Sequence, residues 1–475
     1  MTPIPPRHTL TRREALKLAA SAALLPARLT ARAGKKVIIA GGGIGGLCCG
    51  YELTRRGHDV TVLEASDRTG GHVYTVTEGF DDGLYGDGGA EHFTNPGYDI
   101  YRGYVDEFKL PFAYYPRREH IVTRMQGKLY TEEMLRDPAV LRGFGLNDKE
   151  LAFLKDQRFE ELAALYYKPY LDAFHDEYKP FDAGLNALDG ITTTELFKRD
   201  GASAGALKFI GGGGSALQSV WHAAILKLRG VPLYPPKVYR LIGGNQKLPD
   251  IFTERLGARV KLHSPVTAIE HSPGGVKVTC KGPQGTATYE GDYLVCAMSA
   301  WMLRQIPVTP AFPEAKAFAI GNVPYYSNTR LLFQSKSKFW LKDGLSPNME
   351  FDDPSLFQIW TSDEEVATTK GFVAGTASGP STVEHSLAAL RKYYPGKLED
   401  IEPEKSKAVV WATDPWRSAC ERTDYAPGTL SKFWPGLIEP HGRIHFCGAY
   451  ADNLNWGQEA ATRSANRVAK AIDAA

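Results

Sequence analysis

Thirty residues near the amino terminus leave the chain little freedom of fold. Lys36 to Ala40 is a short apolar, β-branched run that reads as a buried parallel strand. Gly41-Gly42-Gly43-Ile44-Gly45-Gly46 follows with the spacing G-x-G-x-x-G. A helical stretch then runs to Arg56, and Gly57 ends it. Asp59 to Glu64 reads as a second strand closing on an acid. Each part has a physical reason. Gly41 permits the tight turn, Gly43 lets the backbone approach a pyrophosphate, and Gly46 lets helix and strand pack closely. The helix start at Ile44 and Gly45 offers unpaired N–H groups and a positive dipole end to phosphates. Glu64 can accept hydrogen bonds from ribose hydroxyls. The unit predicts a Rossmann-like α/β fold that binds a dinucleotide.

The next residues choose among dinucleotides. Glu64-Ala65-Ser66-Asp67-Arg68-Thr69-Gly70-Gly71-His72-Val73-Tyr74-Thr75 resembles the E-A-x-x-R-x-G-G-R-x-x-T run of the flavin amine oxidase and phytoene-desaturase group. Asp87-Gly88-Gly89-Ala90-Glu91-His92 resembles that family's D-x-G-A segment, which lies against the cofactor. Further matches follow in the family's order: Gly243-Gly244-Asn245-Gln246-Lys247-Leu248-Pro249, then Leu256 to Leu262, then Pro265 to Ile269. At the carboxy terminus Gly442-Arg443-Ile-His-Phe-Cys-Gly448 resembles the closing G-R-I-x-F-A-G strand and turn. Trp456-Gly457-Gln458-Glu459-Ala460-Ala461 opens a helix to about Ile472, with Arg463 and Arg467 on its polar side. The resemblance spans nearly all of residues 35–473.

It implies FAD, bound without a covalent link, since no cysteine directly precedes the last helix. The cofactor residues it implies are Gly41, Gly43, Ile44, Gly45, Gly46, Glu64, Ala65, Arg68, Gly70, Gly71, His72, Gly89, Ala90, Glu91, Val266, Gly448, Ala449, Gly457, Gln458 and Ala460. Val266 would hold the adenine through its backbone. The implied fold is an FAD-binding Rossmann-like domain assembled from separate chain segments, with a mixed-sheet substrate domain and a helical insertion. Its segments would be 34–100, 241–305 and 441–475 for the cofactor and 101–240 and 306–440 for the substrate. Strands around Val276 to Cys280 and Asp292 to Ala297 would return to the nucleotide fold. Between 145 and 200, Leu151, Phe153, Leu154, Phe159, Leu162 and Leu165 recur at helical spacing. Tyr166, Tyr167, Tyr170, Phe174 and Tyr178 follow, as core or as an aromatic entry to the substrate site.

The implied reaction is oxidation of an amine or amino acid, with hydride passing from the C–N carbon to flavin N5 and dioxygen reduced to hydrogen peroxide. Arg330, Trp456 and Glu91 are the expected catalytic residues. Three positions depart from the family pattern: His72 replaces an arginine, Arg330 a lysine and Ala449 an acid. Arginine stays protonated and is no tunable base. That keeps open a desaturase, saturase or double-bond isomerase of a lipid or terpenoid, and, more remotely, a non-catalytic FAD-stabilised binding protein. Glu91 stands where family L-amino-acid oxidases carry a carboxylate clamp, which favours a plain amine over its α-carboxylated counterpart.

The first thirty-three residues read as an address. Arg12-Arg13 precedes a weak apolar run, Leu18 to Leu25, and a small-x-small site at Ala31-Arg32-Ala33. This resembles a twin-arginine signal, implying that export machinery and a periplasmic or secreted location. These residues carry six basic side chains against one acid, so removing them turns the net charge of +2 into −3. No basic block suits nucleic acid. The six cysteines lack metal-ligand spacing and read as small core residues. No metal is expected, and a homodimer is left open.

Overall fold

The computed structural model describes residues 34–475, apart from positions 236, 364, 422, 423 and 455. The export signal expected over residues 1–33 lies outside the described residues. A five-stranded parallel sheet organises the cofactor half. Its strands are β1 (Lys36–Ala40), β2 (Asp59–Leu63), β3 (Val260–Lys261), β4 (Tyr293–Cys296) and β5 (Ile444–Phe446), in the spatial order β3-β2-β1-β4-β5. Strand β1 is central because it is apolar on both faces. Val37 and Ile39 enter one core and Ile38 and Ala40 the other, all at most 1% exposed. Burying each such Val or Ile side chain contributes about 1.5–3 kcal/mol.

Helix α1 (Ile44–Arg55), helix α2 (Lys247–Leu256) and helix α3 (Gly457–Ala474) cover one face, joining Leu47, Leu53, Phe252, Leu256, Val468 and Ile472 in one core. The polar side expected for α3 is partly buried. Arg463 donates through Nε to Asp452 at 3.0 Å, and Arg467 caps the carbonyls of Ile438 and Ala451. Both arginines tie the final helix to the chain just before it. Residues 275–282 do not return to the parallel sheet. They pair with Val266–Ser272 and Gly285–Gly291 in a separate antiparallel sheet, because a tight turn at 283–284 favours the neighbouring partner.

A mixed seven-stranded sheet lies apart, in the order 407–410, 328–335, 371–378, 358–361, 349–350, 122–125, 128–131. Its pairings are antiparallel except 349–350 with 122–125. The helical insertion is broken into short pieces: Pro138–Gly143, Asp148–Leu154, Thr193–Arg199 and Ala204–Ile210, then the longer Ala216–Leu228. Asn147 with Glu150, and Thr192 with Glu195, form reciprocal caps that start two of these helices. Among the described residues no helix is long and apolar enough to cross a membrane.

A Cβ at Gly46 would overlap the Gly41 carbonyl oxygen and stand 3.0 Å from the Ala297 Cβ. Overpacking of this kind costs about 1–3 kcal/mol. Gly46→Ala should therefore lower the melting temperature of the apoprotein. Gly103→Ala, whose Cβ meets nothing within 4 Å, should not. Equal melting of the two variants would refute this account of helix placement.

Candidate active site

At the carboxyl ends of the parallel strands lies a cavity of about 810 Å³, near the upper end of what small-molecule sites span. It is lined by Gly41, Gly43, Ile44, Gly45, Glu64, Ala65, Gly70, Gly71, His72, Gly89, Ala90, Val266, Arg330, Gly448, Ala449, Gly457 and Gln458. Gly46, Arg68, Glu91 and Ala460 stand behind it rather than on it, and Trp456 lines a different chamber. Sequence reasoning missed Trp411, Trp416, Arg417, Cys420, Glu421 and Asp424, which line it as well. The Asp414-Pro-Trp-Arg417 turn was the available clue, since Asp414 accepts the Trp416 and Arg417 amides at 2.9 Å each.

The cavity fits a dinucleotide. Helix α1 has no side-chain cap and no acid in its first turn, so its N–H groups face the cavity unshared. A Cβ at Gly43 would have no neighbour closer than 3.9 Å, so that backbone is open to a ligand. Gly70 and Gly71 hold φ of +101° and +63°, a conformation that suits glycine. Helix α3 also lacks a side-chain cap. Its Glu459 instead accepts the Ile100 and Tyr101 amides at 3.2 and 2.8 Å, and burial pushes its carboxyl up to about 7. Gln458 leaves its Oε1 buried and without a partner among the described residues.

Glu64 is more than a ribose acceptor. Its Oε2 accepts the Gly42 amide at 2.8 Å, and its Oε1 accepts the Ser66 amide and hydroxyl at 2.9 Å. The carboxylate therefore ties the glycine turn to the end of β2 and keeps one lone pair over for a hydroxyl. Arg68 donates to the carbonyls of Thr69, Gly71 and Val73, buttressing the double-glycine loop from behind. His72 lies against Trp411 with ring centroids 4.8 Å apart. Burial holds its imidazole down to about 4, so it is neutral at pH 7 and its Nε2 donates to the Arg417 carbonyl at 2.9 Å.

Arg330 reaches the cavity with its donors already engaged. Nη1 donates to Thr376 Oγ1 at 3.0 Å and Nη2 to the Gly89 carbonyl at 3.1 Å. Glu91 Oε2 lies 3.5 Å away. Burial lowers the Arg330 pKa, yet a guanidinium stays charged. Glu91 is ion-paired with Arg117 as well. Glu91, expected to favour an amine, thus faces two arginines and lines neither cavity.

A second chamber of about 600 Å³ adjoins, sharing Asp424 with the first. Tyr98, Tyr167, Phe209, Trp221, Tyr234, Tyr425, Trp434 and Trp456 line it. Trp456 stacks on Tyr98 at 5.5 Å, and a side chain at Gly97 would overlap it. Glu160, Asp424 and Asp452 are its acids and Arg118 its cation; burial pushes the Asp452 carboxyl up to about 8, and Arg463 donates to it at 3.0 Å. Burial holds His92 down to about 3 and His222 to about 4, so both are neutral at pH 7.

The family model for flavin containing amine oxidoreductases matches residues 44–473. The L-amino-acid oxidase of Pseudechis australis is 25% identical over 464 residues, 93% of this chain and 87% of that one. That of Vipera ammodytes ammodytes is 25% identical over 466 residues, 93% of each chain. Among solved structures, the cyclohexylamine oxidase from Brevibacterium oxydans IH-35A aligns with a TM-score of 0.73 at 21% identity, covering 93% of this chain and 99% of that one. A wild-type putrescine oxidase bound to putrescine aligns with a TM-score of 0.73 at 19% identity and the same coverage. These structures share the fold.

Removing the Glu64 carboxylate should loosen the turn as well as strip ribose contacts. Hydrogen bonds to a charged group are worth about 1.5–3 kcal/mol each. Glu64→Ala should weaken FAD binding by roughly 10²-fold or more and also lower the melting temperature of the apoprotein. Wild-type FAD affinity in that variant would show that Glu64 serves neither purpose.

Proposed function

The chain belongs to the flavin containing amine oxidoreductase family, and on that premise we propose that it is an FAD-dependent oxidase of primary or secondary amines with an apolar or aromatic body. The observation that carries this reading is the junction at Asp424 of a glycine-lined dinucleotide cavity with an aromatic-walled chamber. FAD, when bound, supplies the acceptor for the hydride on the carbon beside nitrogen, and dioxygen restores it with release of hydrogen peroxide. The matched relatives are oxidases by name, which weighs against a desaturase or isomerase of lipids.

The chain's own residues divide the work of binding and exclusion. Gly41, Gly43, Ile44 and Gly45 present the α1 amides to the diphosphate, and Gly46 sets the helix there. Glu64 and Ala65 take the ribose, and Val266 the adenine. Gly70, Gly71, His72, Gly89 and Ala90 pass beside the flavin, while Gly448, Ala449, Gly457 and Gln458 close the far side. Arg68, Glu91 and Ala460 act through the segments that carry those residues. Arg330 fixes the Gly89 carbonyl and takes up no proton. Trp456 and Tyr98 wall the substrate chamber and keep water from it.

The aromatic walls of that chamber suit an apolar or aromatic body, and Asp424, at its junction with the cofactor cavity, favours a protonated amine over an added carboxylate. Phenylethylamine should be oxidised faster than phenylalanine, measured as peroxide release. A preference for phenylalanine, abolished by Arg330→Ala but not by Glu91→Gln, would make Arg330 a carboxylate anchor and overturn the amine assignment.

The same reading includes export of a folded, cofactor-loaded protein, supported by the Arg12-Arg13 pair and the apolar run after it. Replacing both arginines by lysine should leave the protein in the cytoplasm with FAD bound. Normal export of that variant would refute the twin-arginine assignment.

A further inference from the structure

One cation on the cofactor cavity has a donor that no described residue takes. Asp414 accepts Arg417 Nε at 2.9 Å and Nη2 at 2.8 Å, which fixes the guanidinium in place. Nη1 is buried and has no partner among the described residues. Buried polar groups are nearly always hydrogen-bonded, so an orphan of this kind calls for an explanation. Arg417 is also placed where a ligand would meet it: it lines the cavity beside Gly71, His72 and Trp416.

The other basic side chains nearby are otherwise engaged. His72 stands where the family usually carries arginine, and it donates its ring N–H to the Arg417 carbonyl. Arg68 donates to three carbonyls of its own loop and does not line the cavity. Burial, and then repulsion from Arg417, hold Arg68 down to about 10. Two guanidiniums thus crowd one another with Asp414 as the near counter-charge, a balance that favours an added anion.

We infer that Arg417 binds an anionic group of FAD through Nη1 and supplies, from a distant stretch of chain, the positive charge that His72 does not. The anion is either the diphosphate or the reduced flavin. The inference rests on FAD as the cofactor and not on the identity of the substrate.

The test titrates apoprotein with FAD and with ADP, which carries a diphosphate without a flavin, and measures the midpoint potential of the bound flavin. The proteins are wild type, Arg417→Met, Arg417→Lys and the double variant His72→Arg with Arg417→Met. Arg417→Met should weaken FAD binding by about tenfold to a hundredfold. Arg417→Lys should lose less, and His72→Arg should restore part of the loss. A parallel loss of ADP affinity assigns the diphosphate. Unchanged ADP affinity with a lowered midpoint potential assigns the flavin. Should Arg417→Met not fold, Arg417→Lys decides alone: weaker FAD binding or a lowered potential at an unchanged apoprotein melting temperature supports the inference. Unchanged FAD affinity and potential in a folded variant overturn it. Wild-type apoprotein that takes up no FAD would instead overturn the cofactor assignment, and this inference with it.

Discussion

The close approach of α1 to the end of β1 decides where everything else in the cofactor half can go. Gly46 lies so near the Gly41 carbonyl that no side chain fits between them. That contact aims the α1 amides into the cavity. It also lets α3 pack its Ala465, Val468 and Ile472 into the core that Leu47 and Leu53 share. Glu64 works on the same spot from the other strand, because its carboxylate holds the Gly42 amide. The turn is thus fixed by shape on one side and by a charged hydrogen bond on the other.

Local patterns with strict stereochemical needs could be read from the residues. The glycine turn, the two flanking strands and the last helix all appear where the sequence puts them, since each depends on neighbours only a few residues away. The apolar alternation over 275–282 gives a strand but not its partner, and the strand pairs with its chain neighbours rather than with the parallel sheet. The polar side of α3 is partly buried for a related reason. Arg463 and Arg467 find carboxylate and carbonyl partners in residues just ahead of the helix, and spacing alone reports no such partner.

The site followed the same rule. The residues that line the cavity from glycine-rich loops were legible, whereas Trp411, Trp416 and Asp424 come from a loop with no periodic signature. Glu91 shows the limit most clearly. Its charge, read alone, suggested a role toward an amine. Arg117 lies on a separate segment and Arg330 on the mixed sheet, and both converge on it. A buried carboxylate held by two guanidiniums is a strut that ties its own loop and the turn carrying Arg117 to the mixed sheet, with Gly89 fixed through Arg330.

The parallel sheet places strands from distant parts of the chain side by side: β1 ends at residue 40, and its neighbour β4 begins at residue 293. A ribosome needs on the order of tens of seconds to make the stretch between them. During that time β1 can pair with β2, but its other edge lacks its native partner. An unpaired apolar edge invites association with other chains. Helix α3 begins at residue 457, after every other segment that lines the cofactor cavity, so the cavity closes only once that helix has been made. High contact order of this kind slows folding, and it makes a loaded cofactor a report that every segment of the site has been built.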